Sequence, residues 1–222
     1  MRTIVYVDEF NLYFRLLKQR PHLRWLNIKT LSDNILSEEN DVIAVKYYTV
    51  RVSSRLKAES PAHQQIYLDA LSTVPEVSVY MGMFLTSEKF APLVHPPEFR
   101  PGRDFDEPWP DVVRILKTEE KGSDVNLASH LLFDAFRDHY DVAAVVSNDS
   151  DLVEPIRLVT QEIGKPVGLL SPVRSPNPEL EAASSFVKRI RPSHLQAAQF
   201  HNPLTMADGR ELTKPGHWVE EG

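Results

Sequence analysis

Runs of β-branched and aromatic residues alternate along the chain with stretches whose apolar positions recur every three or four residues. TIVYV (3–7) reads as a buried strand, and it stops at two acids, Asp8 and Glu9, within VDEFNLY. NLYFRLLKQ (11–19) reads as a helix, with Leu12, Leu16 and Leu17 on one side and Asn11 as its N-cap. Residues 28–37 read as a helix starting near Asn27, and DVIAVKYYTV (41–50) as a strand. PAHQQIYLDALSTV (61–74) reads as a helix with Pro61 in its first turn. VSVYMGMFL (77–85) reads as a strand broken by Gly82. Strand character returns at DVVRILKT (111–118), and a helix follows at 124–138, with Val125, Ala128, Leu131, Leu132, Ala135 and Phe136 at helical spacing. Strand VAAVVS (142–147), helix 152–161 and strands PVGLL (166–170) and FVKRI (186–190) complete the series. Strands alternating with helices predict an α/β fold with a mostly parallel sheet.

Two segments fall outside this rhythm. Six of the 17 prolines lie between Pro92 and Pro110, so residues 86–110 read as an excursion or lid without core-forming periodicity. Residues 196–222 read as a tail. Asp208-Gly209 predicts a turn there, and Trp218 is the residue expected to anchor it to the body. One domain of residues 1–195 plus this tail suits a chain of 222 residues.

Composition narrows the chemistry. The chain has no Cys, which excludes disulfides, thiolate metal sites and a Cys nucleophile. Its first apolar run is too short for a signal peptide, and no stretch approaches the ~20 apolar residues of a membrane span, so a cytoplasmic protein is expected. The formal charge of −6 argues mildly against a general nucleic-acid binder. That argument weakens if several acids share one cation.

The acids fall where such sharing is expected. Open α/β sheets bind ligands at the carboxyl ends of their strands. Asp8 follows the first strand, Asp149 and Asp151 follow VAAVVS within SNDSD, and Asp124 opens a helix after KTEEKGS. Each has a plainer reading: Asp151 with Glu154 fits a capping box, and Asp124 complements a helix dipole with Ser123 as cap. Jointly they say more. Neighbouring parallel strands lie about 5 Å apart, and two carboxylates at about 4 Å repel by roughly 4 kcal/mol at an effective dielectric near 20. A cluster of three or four therefore calls for a cation. With oxygen ligands alone, Mg²⁺ or Mn²⁺ fits better than Zn²⁺. Such an ion orients phosphate and activates water, which points to phosphodiester hydrolysis.

VDEFNLY, KTEEKGSDVNLASHLLFDAF and VVSNDSDLVEPIRLV, in that order, resemble the NYN domain proteins, LabA-like or DUF88 relatives of the PIN-like nucleases. The resemblance covers about residues 1–195. It implies a three-layer α/β/α sandwich and metal-dependent cleavage of RNA. By motif, Asp8 and Asn11 match a D-x-x-N, Asp124 the acid of K-G-x-D, and Asp149 and Asp151 an S-G-D-S-D, with Ser147 and Asn148 in support. Two positions depart: Asn148 stands where Gly is commoner, and Glu9 stands where close relatives more often have Gly. Glu9 either points away, adds a ligand or base, or obstructs the substrate.

Phosphates need cationic or backbone donors. Lys121, Lys117 and Arg51 are the first candidates, with Arg55, Lys188, Arg189 and Arg191 behind them. Tyr13 and Phe14 are placed to stack on a base or, equally, to enter the core. His130 is given no role. The expected partner is single-stranded RNA, and a homodimer is compatible with the reading. The first hypothesis is a metal-dependent endoribonuclease. Its rival is a weakly active or inactive module that keeps the fold and binds RNA. A phosphatase using Asp8 as nucleophile fits less well, because the run Asp8-Glu9-Phe10-Asn11 lacks the D-x-D-x-T/V pattern.

Overall fold

The computed structural model describes residues 1–52, 60–94 and 110–219. In chain order the elements are β1 (Arg2–Asp8), α1 (Glu9–Leu12), α2 (Ile28–Ile35), β2 (Asp41–Val50), α3 (Ser60–Leu71), β3 (Val77–Pro92), β4 (Val112–Lys121), α4 (Ser123–Phe136), β5 (Val142–Val146), α5 (Val153–Arg157), β6 (Val167–Ser171), α6 (Pro178–Ala183), β7 (Phe186–Arg189) and α7 (Pro192–Ala197). A two-stranded ribbon, β8 (Leu204–Thr205) and β9 (Glu211–Leu212), closes the chain. After α1 the helix widens into a π turn over Tyr13–Leu17.

Seven strands form one sheet in the order β4-β3-β2-β1-β5-β6-β7. All neighbours are parallel except β3 and β4. β1 is central and buried on both faces, which explains its lack of polar alternation. Its residues still divide by side. Val5 and Val7 join a core with Leu12, Trp25, Leu31 and Leu71, on the side of α1, α2, α3 and α7. Ile4 and Tyr6 join a second core with Leu127, Leu131, Leu152 and Ile156, on the side of α4, α5 and α6. The result is a three-layer α/β/α sandwich. No helix among the described residues is long and apolar enough to cross a membrane.

Three local expectations change. The first helix starts at Glu9, and its N-cap is Asp8, whose side chain accepts from the Asn11 amide; Asn11 lies inside the first turn. Gly82 does not break the strand. It marks the point where β3 leaves β2, to which Val77–Gly82 pair in parallel, and begins antiparallel pairing with β4 from Met83. A side chain there would meet the Lys121 carbonyl at 2.9 Å and the Glu120 carboxylate at 3.0 Å. The excursion read at 86–110 begins as strand: residues 86–92 pair with 112–118, and residues 95–109 lie outside the described residues.

The tail turns at Asp208-Gly209, with Gly209 at φ 84°. Trp218 is buried against Trp25 and Tyr67, so the tail shares the first core.

Candidate functional site

β1 and β5 are parallel neighbours, with Val7 opposite Val146, so their carboxyl ends open side by side. Asp8 stands at the first end. Its Oδ1 accepts from the Asn11 amide at 3.0 Å, and its Oδ2 accepts from Asn11 Nδ2 at 2.6 Å. From the other strand, the buried Ser147 hydroxyl donates to the same Oδ2 at 2.8 Å. Ser147 Oγ in turn accepts from the Asp149 amide at 3.0 Å. Asp149 Oδ1 then accepts from the Asp151 amide at 3.0 Å, capping the 3₁₀ turn Ser150–Leu152. One chain of hydrogen bonds thus runs from Asn11 through Asp8 and Ser147 to the SNDSD loop.

The capping box anticipated at Asp151 does not form. Asp149 is the cap, Asp151 is exposed, and Glu154 pairs with Arg157 at 2.6 Å. Pro155 lies in the first turn of α5, where its missing N–H costs nothing. Asn148 Oδ1 accepts from the Asn177 amide at 2.8 Å, and Asn177 caps α6. At this position the side chain ties the β5 loop to the start of α6.

Asp124 reaches the site from α4. The chain enters this helix through Gly122 at φ 98°, a conformation suited to glycine. Gly122, not Ser123, is the N-cap. The Glu120 carboxylate accepts from the Ser123 amide at 2.8 Å and from the Ser123 hydroxyl. Asp124 is then held where burial first, and Asp8, Asp149, Glu120 and Asp151 next, push its carboxyl up to about 7. Burial also raises Asp8; hydrogen bonds from Asn11 and Ser147 pull it down, and Asp149 pushes it up again.

Asp124 therefore feels the other three acids singled out in the sequence, and Glu120 joins them. Its only signal in the sequence was its place two residues before Gly122, in the KTEEKGS stretch that leads to Asp124.

Among the described residues, no three acidic or histidine side chains close into a ready-made metal cage. The donors are all oxygen, and much of the Asp8 carboxylate is already committed to Asn11 and Ser147. This chemistry fits a hydrated hard cation, because Mg²⁺ usually keeps several waters and takes only one or two carboxylates directly.

Glu9 turns elsewhere. Its Oε2 accepts from Thr49 Oγ1 at 3.3 Å on β2. Burial lifts its carboxyl to about 7, with a smaller push from Asp8. Of the cationic candidates, Arg51 is exposed at the end of β2 and donates to Gln65. Lys117 and Lys121 lie with Glu119 on one face of the β3–β4 ribbon, and Glu120 lies on the other. Lys188 donates to the Ile35 carbonyl at 3.0 Å. Arg55 lies outside the described residues.

Tyr13 packs on the first core, whereas Phe14 is 52% exposed. His130 Nδ1 hydrogen-bonds the Tyr48 hydroxyl at 2.9 Å, away from the acids.

The chain is similar along 98% of its length, at 25% identity, to 6-hydroxy-3-succinoylpyridine 3-monooxygenase HspA of Pseudomonas putida, 75% of which is covered. Among solved structures, it resembles a protein of unknown function from Vibrio parahaemolyticus. That match has 15% identity and a TM-score of 0.48, and it covers 86% of this chain and 93% of the other. The sequence profile of the NYN domain matches residues 2–191, from the first strand through the last strand of the main sheet. With a match of that extent, this chain belongs to the NYN domain family.

Proposed function

We propose that the chain is a metal-dependent ribonuclease that hydrolyses phosphodiester bonds within single-stranded RNA. The observation that supports this most is that β1 and β5 end side by side in a parallel sheet, where Ser147 joins Asp8 to the Asp149 amide, with Asp124 near enough to feel both acids. The NYN domain is a nuclease-like fold, in keeping with this reading.

Mg²⁺ or Mn²⁺ is the proposed cofactor, held by some of these carboxylates directly and by the rest through water. When bound, it would offset charge on the phosphate and make water more acidic. The protein's own part is positional. Asn11 and Ser147 fix Asp8 in one rotamer by three hydrogen bonds. Ser147 carries that order to the SNDSD loop. Glu120 and Gly122 set the start of α4 and so the height of Asp124. An acid left over from ligation would take a proton from the attacking water.

The test uses the purified full chain and end-labelled single-stranded RNA, with Mg²⁺, with Mn²⁺ or with chelator, beside Asp149→Asn. Cleavage that needs metal and is lost in the variant is the expected result. RNA binding that survives chelator, with no cleavage by the natural chain, would favour a non-cutting module instead.

The relative from Pseudomonas putida, matched along nearly the whole chain, supplies a second reading: oxidation of a pyridine ring. Incubation with a hydroxypyridine, oxygen and a two-electron reductant, followed by product analysis, separates the two.

A further inference from the structure

The helix that leaves Asp8 carries aromatic rings that neither core absorbs. Phe10 and Phe14 lie nearly parallel, 13° apart, with centroids at 6.1 Å. Phe84, from β3, meets Phe10 edge-on at 6.1 Å. Phe84 and Glu120 are directly paired across the β3–β4 ribbon, so they share a face. The rings therefore sit on the same side as the acid that sets the start of α4. Phe10, Asn11, Phe14 and Arg15 line an open pocket of about 220 Å³. Asn11 belongs to this pocket and also donates to Asp8, so pocket and carboxylate site share a wall.

Charge surrounds these rings asymmetrically. The chain carries a net charge of −6, yet between Glu9 and Asp33 it has no acid and five Lys or Arg residues. Arg15 is exposed and makes no ion pair among the described residues. Lys18 Nζ lies 5.1 Å from the Phe14 ring centre. Arg20 and Arg24 donate to backbone carbonyls of the same helix end, so no carboxylate neutralises them there. A half-exposed aromatic pair bordered by unneutralised cations matches a planar base on a phosphate chain.

We infer that Phe10 and Phe14, braced by Phe84 and bordered by Arg15 and Lys18, form a stacking site for an unpaired nucleobase next to the carboxylate site at Asp8. This deepens the ribonuclease reading and rests on it for the identity of the ligand. Stacking is tolerant of base identity, because every base has a π face. The site therefore selects single strands over duplexes, in which the bases are already stacked on one another.

The test is fluorescence anisotropy with labelled oligouridylate and oligoadenylate in chelator, so that binding is read without cleavage. Phe14→Leu keeps an apolar side chain but removes the ring, and Phe14→Tyr restores the ring. The expected result is about 10-fold weaker binding by Phe14→Leu, recovery in Phe14→Tyr and unchanged thermal melting in both. Oligonucleotides with one abasic position, scanned along the strand, should lose affinity for the natural chain at one register and lose none for Phe14→Leu. Equal affinity of the natural chain and Phe14→Leu overturns the proposal. So does Phe14-dependent binding of a free pyridine with no effect on oligonucleotides, or a dimer that dissociates in Phe14→Leu while oligonucleotide affinity stays put. Phe14-dependent binding without metal-stimulated cleavage upholds the stacking site and overturns the ribonuclease reading instead. Cleavage with no dependence on Phe14 does the reverse.

Discussion

At the scale of single residues, the site depends on small polar side chains more than its acids suggest. Ser147 is fully buried and does two things at once: it donates to Asp8 and accepts from the Asp149 amide. Ser147→Ala leaves both partners short of a bond inside the protein. The expected cost is about 1–3 kcal/mol in chemical denaturation, with loss of RNA cleavage in the fraction that stays folded. Ser147→Thr keeps the hydroxyl and should recover part of both. Glu9 is the contrasting case. Its carboxyl accepts from Thr49 on β2 and acts on the Tyr47 and Tyr67 hydroxyls. Glu9→Gln preserves the bond to Thr49 and removes a carboxyl that burial disfavours. Cleavage rates are expected to change by less than about twofold, because the Thr49 bond is kept, whereas Asp149→Asn should abolish them. A large loss in Glu9→Gln would instead make Glu9 an added ligand or base. The sequence could place Glu9 at the strand end but not its direction, because a side chain at the first position of a helix can turn to either neighbouring strand.

At the scale of elements, α4 is fixed to the sheet by a polar cluster far from its first turn. Asp134 is almost fully buried and accepts from Tyr6 at 2.6 Å, Lys46 at 2.5 Å and His139 at 3.0 Å. Burial alone would raise its pKa. The Lys46 ammonium, the Tyr6 hydroxyl and His139 outweigh burial and hold it below the usual carboxylate range. A carboxyl depressed on folding contributes stability above its unfolded value near 3.8, and that contribution is lost as the pH falls through the lower folded value. His130, on the same helix, is lowered by burial and then by Lys46. Its neutral form is the favoured one, so stability is full above about 6.5 and falls as the pH drops below it. Acid titration of the melting temperature should therefore show a loss below about 6.5 that is reduced in His130→Gln; His194, also lowered by burial, keeps the remainder, and Glu9 and Asp124, both raised to about 7, act in the opposite sense. Lys46→Met strands the Asp134 charge and is expected to cost about 3–5 kcal/mol, while Lys46→Met with Asp134→Leu should cost much less. These contacts were invisible in the sequence, since Tyr6, Lys46 and Asp134 lie on three elements far apart along the chain. What the sequence did show was local: the buried run at Thr3–Val7, the helical spacing from Val125 to Phe136, and the acids at strand ends. It misplaced the first cap because Asp8 and Asn11 are both good capping residues, three positions apart, and only the backbone decides which one caps. It misread Gly82 for a similar reason. A glycine marks a strand break and a close approach in the same way, and here it is the close approach of Lys121 and Glu120.

At the scale of the whole molecule, the last residues complete the first core. The family match ends at residue 191, yet Leu195, Ala198, Phe200 and Trp218 are buried in the same cluster as Trp25 and Tyr67. Trp25 Nε1 donates to the His201 carbonyl at 3.0 Å, and Tyr67 donates to the Leu26 carbonyl at 2.9 Å, so the aromatic group is also joined by hydrogen bonds. Trp218 stands 6.4 Å from Trp25 and 6.2 Å from Tyr67, both in edge-on contact. These rings lie on the α2–α3 side of the sheet, whereas Asp124 and the helix that carries it lie on the other. Stability and chemistry are thus separable in this chain. Trp218→Ala removes a buried indole and is expected to cost about 3–5 kcal/mol. For a chain of this size that is a fall in melting temperature of roughly 6–20 °C, readable by scanning calorimetry. RNA cleavage assayed well below the new midpoint should stay within about twofold of the natural chain, because no acid of the site touches the lost ring. If cleavage instead falls in step with the loss of the ring while the protein remains folded, the tail reaches the site through α3 and Glu9, whose charge also raises the Tyr67 hydroxyl.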